Sequence, residues 1–301
     1  MNVLSLQHVV KAYHNHIAVN DVSFDVKAGS IFGLLGPNGA GKTSLIRIIT
    51  TITAADSGKI LLNGDALNHL HPNEIGYMPE ERGLYKKMKV GEQLLYLARL
   101  KGLSEKDAKA KLKVWLEKFE IMSWWDKKIS DLSKGMGQKV QFIATVVHEP
   151  KLLILDEPFS GLDPINTNLI KDEIYQLKEN GTSILFSTHR MEQVEEICED
   201  IVLMNKGKII LNGAVAQIKN DFKEHIFSVK YEGQMPDNIL QLGYGIISNQ
   251  GQEITFKLSE EHRSNDLLRH LIQNNVSITS FNEILPTLNE IFIKKVSSSN
   301  E

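Results

Sequence analysis

The sequence predicts an α/β fold: a parallel core sheet, an antiparallel β subdomain and a helical subdomain in one domain, followed by a small α+β module. Three observations carry that class. The runs Ile31–Leu35, 152–155 and 184–186 are apolar throughout and each gives way to polar or glycine residues, as strands do when helices cover both faces. Residues 3–10 and 19–26 instead alternate apolar with polar, placing Val22, Phe24 and Val26 on one side, as in half-buried strands. From about Val90 the apolar spacing changes to three and four, the period of a helix.

In chain order, Gly29 closes the second alternating run, and Ile31–Leu35 follows as the first buried strand. A short strand at 59–62 is bracketed by Ser57-Gly58 and Asn63-Gly64. Ala108, Leu112, Trp115, Leu116 and Phe119 share one helical face, with Ser104 and Asp107 as a capping pair. A second helix begins near Ser133, buries Met136, Val140, Ile143 and Val147, and stops before Pro150. The strands 152–155 and 184–186 then end at charged and hydroxyl residues, which is where open parallel sheets bind ligands. Asn205-Lys206-Gly207-Lys208 has hairpin-turn composition between the apolar triplets 201–203 and 209–211.

The chain turns polar around 219–224, which divides it into 1–220, with a helical subdomain at about 88–150, and 221–301. In the second part, strand-like stretches at 226–231, 244–247, 254–258 and 276–281 accompany a helix at 265–273. Thr287 and Glu290 cap a last short helix, and 297–301 reads as frayed. No residues of obvious chemistry gather there.

A chain of 301 residues with 42% hydrophobic content can bury a substantial core. No apolar run approaches the roughly eighteen residues of a membrane span. The nearest, 140–147, is short and contains Gln141 and Thr145. With no basic segment leading into an apolar one at the N-terminus, the expectation is a cytoplasmic protein that meets a membrane only through a partner. The one cysteine, Cys198, suits a reducing compartment and reads as a small buried hydrophobe. A net charge of −3 gives no general attraction to nucleic acid, and the basic stretch 106–113 alternates with acids as a solvated helix face does.

Chemistry concentrates first at Gly36-Pro37-Asn38-Gly39-Ala40-Gly41-Lys42-Thr43, between a buried strand and the helix that Ser44 opens. A glycine-rich turn there aims backbone N–H groups and the positive end of a helix at one spot, which suits a polyanion. Lys42 adds a mobile charge for the outer phosphates, and the Thr43 hydroxyl is a hard ligand for Mg2+. A bare tight turn would not require Lys and Thr after the last glycine. Asp156 and Glu157 follow directly on the apolar run 152–155; beside a phosphate loop, such a pair holds Mg2+ and polarises an attacking water.

Leu132-Ser133-Lys134-Gly135-Met136, followed by Gln138 and Lys139, resembles the signature motif, L-S-G-G-Q, of ATP-binding cassette (ABC) ATPases. The phosphate loop upstream and the acid pair downstream complete that resemblance. It implies an ABC-type P-loop NTPase that binds and hydrolyses ATP with Mg2+. The nucleotide would contact Gly36, Pro37, Asn38, Gly39, Ala40, Gly41, Lys42, Thr43 and Ser44. It also implies that Tyr13 stacks on adenine and that His189 contacts the γ-phosphate. Ser133 and Gly135 would close on ATP held by the opposite subunit, so that a homodimer or paired cassette encloses two ATP molecules. Ser160-Gly161-Leu162-Asp163 resembles the loop that passes between subunits.

Two departures stand out. Glu80, in Ile75-Gly76-Tyr77-Met78-Pro79-Glu80, occupies the position of the family's glutamine, a further carboxylate for Mg2+ beside Thr43 and Asp156. Lys134 and Met136 replace a glycine and a glutamine of the signature. The stretches 78–85 and 285–292 resemble the sodium-efflux type of export cassette. The resemblance therefore implies an export subunit working with separately encoded transmembrane permease subunits. Glu157, His189 and Lys42 would carry catalysis, and no nucleic-acid partner is expected. The alternative is a soluble ABC ATPase acting on nucleic acid or ribosomes. Such proteins commonly carry two cassettes in one chain, long coiled-coil insertions or basic surfaces.

Overall fold

The computed structural model describes residues 1–81, 83–235, 244–259 and 262–298. The strands are β1 (Asn2–Tyr13), β2 (His16–Lys27), β3 (Ile31–Leu35), β4 (Ser57–Leu62), β5 (Asp65–Ala66), β6 (Ile75–Met78), β7 (Leu152–Asp156), β8 (Ser183–Thr188), β9 (Asp200–Asn205), β10 (Lys208–Ala214), β11 (Ile226–Glu232), β12 (Gly245–Gln250), β13 (Glu253–Lys257) and β14 (Ser277–Ile284). The α-helices are α1 (Lys42–Ile49), α2 (Val90–Leu100), α3 (Glu105–Lys118), α4 (Lys134–Val146), α5 (Pro164–Glu179), α6 (Met191–Ile197), α7 (Val215–Asp221), α8 (Ser264–Gln273) and α9 (Leu288–Ser298).

The chain divides into two compact units, Met1–Ala214 and Val215–Glu301. The division comes just ahead of the polar stretch 219–224, because the short helix α7 groups with the later strands. In the first unit a six-stranded sheet runs in the order β10-β9-β3-β8-β7-β6. Its strands β9, β3, β8, β7 and β6 are parallel, and β10 closes one edge as an antiparallel hairpin partner of β9. Lys206 and Gly207 both take positive φ in that turn, the conformation a tight hairpin requires. β3, β7 and β8 are buried at every position, which is why they lack polar alternation. The alternating strands β1 and β2 form a separate antiparallel sheet in the order β2-β1-β4-β5. A shared core that includes Leu6, Phe24, Phe32, Leu45, Ile49 and Ile154 lies between the layers, with the Phe24 and Phe32 rings stacked at 5.3 Å.

The helical part rests on a ring cluster: Phe119 and Phe142 stack at 5.8 Å, and Trp115 meets Phe142 edge-on at 6.2 Å. Ser104 caps α3 by accepting from the Asp107 N–H, and Ser133 caps α4 by accepting from the Met136 N–H. Met136 is half-buried and not part of the core, since it sits in the first turn of α4 beside its exposed cap, whereas Val140, Ile143 and Val147 are buried. Strand β6 was not expected at 75–78, and neither was helix α5, which starts at the N-cap Asp163 with Pro164 in its first turn. Cys198 is buried and free.

The second unit is a four-stranded antiparallel sheet, β12-β13-β11-β14, packed on α8 through Val229, Ile254, Phe256, Leu267 and Leu271. Thr287 and Glu290 cap α9 reciprocally: the Thr287 N–H donates to the Glu290 carboxylate at 2.7 Å, and the Glu290 N–H donates to the Thr287 hydroxyl at 3.2 Å. α9 is longer than the short helix expected there, and of the end that reads as frayed, residues 299–301 lie outside the described residues.

Candidate active site

The loop from β3 to α1 is built of glycines for a steric reason. Gly36 has φ 148°, and a Cβ on it would stand 2.3 Å from the Met204 carbonyl oxygen. Gly41 has φ 104°, and a Cβ there would stand 2.1 Å from the Ala18 carbonyl oxygen. Neighbouring backbone from β2 and β9 thus presses on the loop, and a side chain at either position would push it out of shape. Gly41 is the N-cap of α1 and brings no side chain to the helix's first N–H groups, which leaves them open to a ligand. The buried Lys42 ammonium donates to the Gly36 carbonyl at 2.7 Å and the Pro37 carbonyl at 3.2 Å. Burial pushes its pKa down, against the opposing pull of Asp156, Glu157 and Glu80.

Beside this loop lies a cavity of about 260 Å3. Tyr13, His16 and Ala18 line it from the β1–β2 hairpin, Asn38, Gly39, Ala40, Gly41, Lys42, Thr43 and Ser44 from the loop and α1, and Glu80, Asp156 and Glu157 from the ends of β6 and β7. Gly36 and Pro37 lie behind the wall, where their carbonyls anchor Lys42.

The two acids are held by the end of β8. The Ser187 hydroxyl donates to Asp156 Oδ1 at 2.7 Å. Burial nevertheless raises the Asp156 pKa, which favours a cation beside its carboxylate. Glu157 adopts φ 51°, unusual for a residue with a side chain. Its N–H donates to the Ser187 carbonyl at 2.8 Å, and its carboxylate accepts from the Thr188 hydroxyl at 3.0 Å and the His189 N–H at 2.8 Å. The His189 Nδ1 stands 2.5 Å from Glu157 Oε1, so the histidine reaches the site through the glutamate and does not line the cavity.

Ser133 and Gly135, at the start of α4, do not line this chain's cavity; Ser133 is exposed. The Lys134 stem lies against Gly161, and its Nζ is 3.4 Å from the Ser160 hydroxyl. Gln138 Nε2 donates to the Pro158 carbonyl at 2.8 Å, tying α4 to the segment just after Glu157. Sequence reasoning passed over His16 and Ala18 on the wall and gave no role to Ser187, Thr188 or Gln138. The signal for the first two was the short turn at 14–15, which sets position 16 opposite Tyr13.

A family model for the ABC transporter matches residues 19–160, and one for the C-terminal domain of ATP-binding proteins like DrrA1-3 matches 213–296. The uncharacterized ABC transporter ATP-binding protein YhaQ of Bacillus subtilis (strain 168) is 42% identical over 301 residues, 99% of this chain and 100% of that protein. The chain belongs to the ABC transporter ATP-binding proteins. The lipopolysaccharide export system ATP-binding protein LptB of Haemophilus influenzae is 33% identical over 227 residues, 73% of this chain and 94% of that protein. Among solved structures, an ATP-binding subunit of an ABC transporter superposes with a TM-score of 0.69 at 31% identity, covering 73% of this chain and 93% of that one. The ABC ATP-binding subunits bind ATP and hydrolyse it in coupling to transport, and the parallel core sheet with its antiparallel and helical additions is their fold.

Proposed function

We propose that this chain is the ATPase subunit of an exporter, working as a pair of cassettes on separately encoded transmembrane permease subunits, with the cassette in 1–220 and an accessory module in 221–301. The observation that carries the reading is the meeting of the glycine-built loop, Lys42, Thr43 and the acid pair on one cavity. Its residues fit an Mg2+-nucleotide: positions 36 and 41 exclude a Cβ, the α1 N-terminus is open, and the Thr43 hydroxyl with Asp156 and Glu80 offers hard oxygens. Mg2+, when bound, neutralises charge on the outer phosphates. Among the described residues no three His, Cys, Asp or Glu side chains group to hold a metal by themselves; phosphate and water would have to complete its ligands.

In hydrolysis Glu157 polarises the attacking water, Lys42 steadies the charge that grows on the γ-phosphate, and His189 acts through Glu157, whose carboxylate its N–H and ring hold. Tyr13 stacks on the base. Ser133 and Gly135, outside their own cavity, are free to complete the site of a second subunit, so two ATP molecules lie between two chains. Permease docking is supported by an apolar groove of about 340 Å3 lined by Ile52, Ile75, Leu84, Leu97 and Leu100. Gln141 and His148 also line that groove, and Gln141 Oε1 and His148 Nδ1 are buried without a hydrogen-bond partner among the described residues. Among the described residues no helix is long and apolar enough to cross a membrane, so a partner would bring this subunit to the cytoplasmic face. The export direction rests on the likeness to LptB, whose name gives it as part of an export system.

The test is steady ATP turnover by the purified chain, lost in Lys42→Ala, together with co-purification of a multi-span membrane protein. Salt-sensitive binding of RNA or DNA without a membrane partner would contradict the reading.

A further inference from the structure

The nucleotide cavity has a wall that the phosphate loop and the acids do not explain. Tyr13 and His16 are the closing pair of the β1–β2 hairpin, directly opposed in register across a turn in which His14 takes φ 51°. Directly opposed residues project to the same face of a sheet, and both of these line the cavity. Ala18, further along β2, lines the same cavity and presents only a methyl group. The cationic end of Lys11, held by Asp56 at 2.6 Å, lies over the Tyr13 ring, 5.6 Å from its centre. The His16 ring is exposed to the cavity and makes no hydrogen bond or ion pair with any described residue.

We propose that His16 is the second ring of the base-binding platform, and that together with Tyr13 it makes the site select purine over pyrimidine triphosphates by stacking area. This rests on reading the cavity as the nucleotide site. The carboxylates of the cavity, Glu80, Asp156 and Glu157, come from the strand ends of the other sheet, so the hairpin wall offers rings and a methyl and no acid to read a base edge. A wall of that kind recognises the π-face, which purines present over a larger area than pyrimidines.

Calorimetric titration of the full chain with ATP, CTP and inorganic tripolyphosphate tests this in wild type, His16→Ala and His16→Phe. His16→Ala weakens ATP about tenfold, the lower end of what one base–ring stack contributes, while CTP shifts by less than about threefold. Tripolyphosphate, which has no base, binds both proteins equally. His16→Phe keeps the ATP affinity because it keeps the ring. An unchanged ATP affinity in His16→Ala, an equal loss for ATP and CTP, or no rescue by Phe would overturn the proposal. So would a parallel loss of tripolyphosphate, which would trace the effect to the phosphate loop. If wild type bound tripolyphosphate and ATP not at all, the nucleotide reading would fail with it; ATP binding that is indifferent to His16 removes this proposal alone.

Discussion

Glu157 holds its backbone at φ 51° while three donors, the Thr188 hydroxyl and the N–H and ring of His189, converge on its carboxylate. Such a conformation costs about 1–3 kcal/mol and persists where the surroundings over-determine it, as the hydrogen bond from its N–H to Ser187 does here. The loop opposite is as tightly specified. Gly41→Ala would drive a methyl onto the Ala18 carbonyl, with contact at 2.1 Å unless the backbone moves, and at a φ that alanine resists. The expected outcome is at least about a tenfold loss of ATP affinity by calorimetry, since the displaced loop no longer presents its N–H groups together. Glu80 is different: it is exposed and lines the cavity without a partner that orders it among the described residues. Glu80→Gln keeps an oxygen ligand, so most ATPase activity should survive, and a loss as deep as that of Glu157→Gln would give Glu80 a direct part in the chemistry.

At the scale of elements, the cap of α4 carries stability and, on the pairing we propose, function. Ser133→Ala removes the acceptor for the Met136 N–H and should cost about 1 kcal/mol, a fall of about 2–4 °C in Tm by calorimetry. By the pairing proposal, its ATPase falls much further than its Tm. What was legible in the sequence followed the range of the interactions. Caps such as Ser104, Ser133 and Thr287 act within one turn of chain, and the sequence placed them where they occur. Strand β6 escaped notice because its reason is non-local: it is four residues long, and a Cβ on its Gly76 would stand 2.6 Å from the Thr145 carbonyl of α4. Helix α5 announces itself in Asp163-Pro164, but those residues also belong to the loop motif, and the helix went unread. His16 was missed in a different way, since its place beside Tyr13 depends on the hairpin register that the short turn at 14–15 sets.

For the molecule as a whole, stability should fall in mild acid through His148 in the cassette unit. Burial, then the nearby Lys101, lowers its pKa from 6.5 to about 4, the hydrogen bond with the Ile75 carbonyl opposing. Unfolded chains therefore bind a proton below pH 6.5 that the folded protein refuses until near 4; stability present above 6.5 is lost as pH falls across that window. His148→Gln, which cannot titrate, should show a smaller drop in Tm between pH 7.5 and 5 than wild type, by about 3–6 °C. On the pairing we propose, the function too is a property larger than one chain, since the loop and acids face the cavity while Ser133 and Gly135 do not. The most direct test of that claim is light scattering of Glu157→Gln with ATP and Mg2+, run beside its turnover. A stable ATP-bound dimer with little hydrolysis is predicted; a variant that stays monomeric, or that hydrolyses ATP at the parental rate, would contradict it.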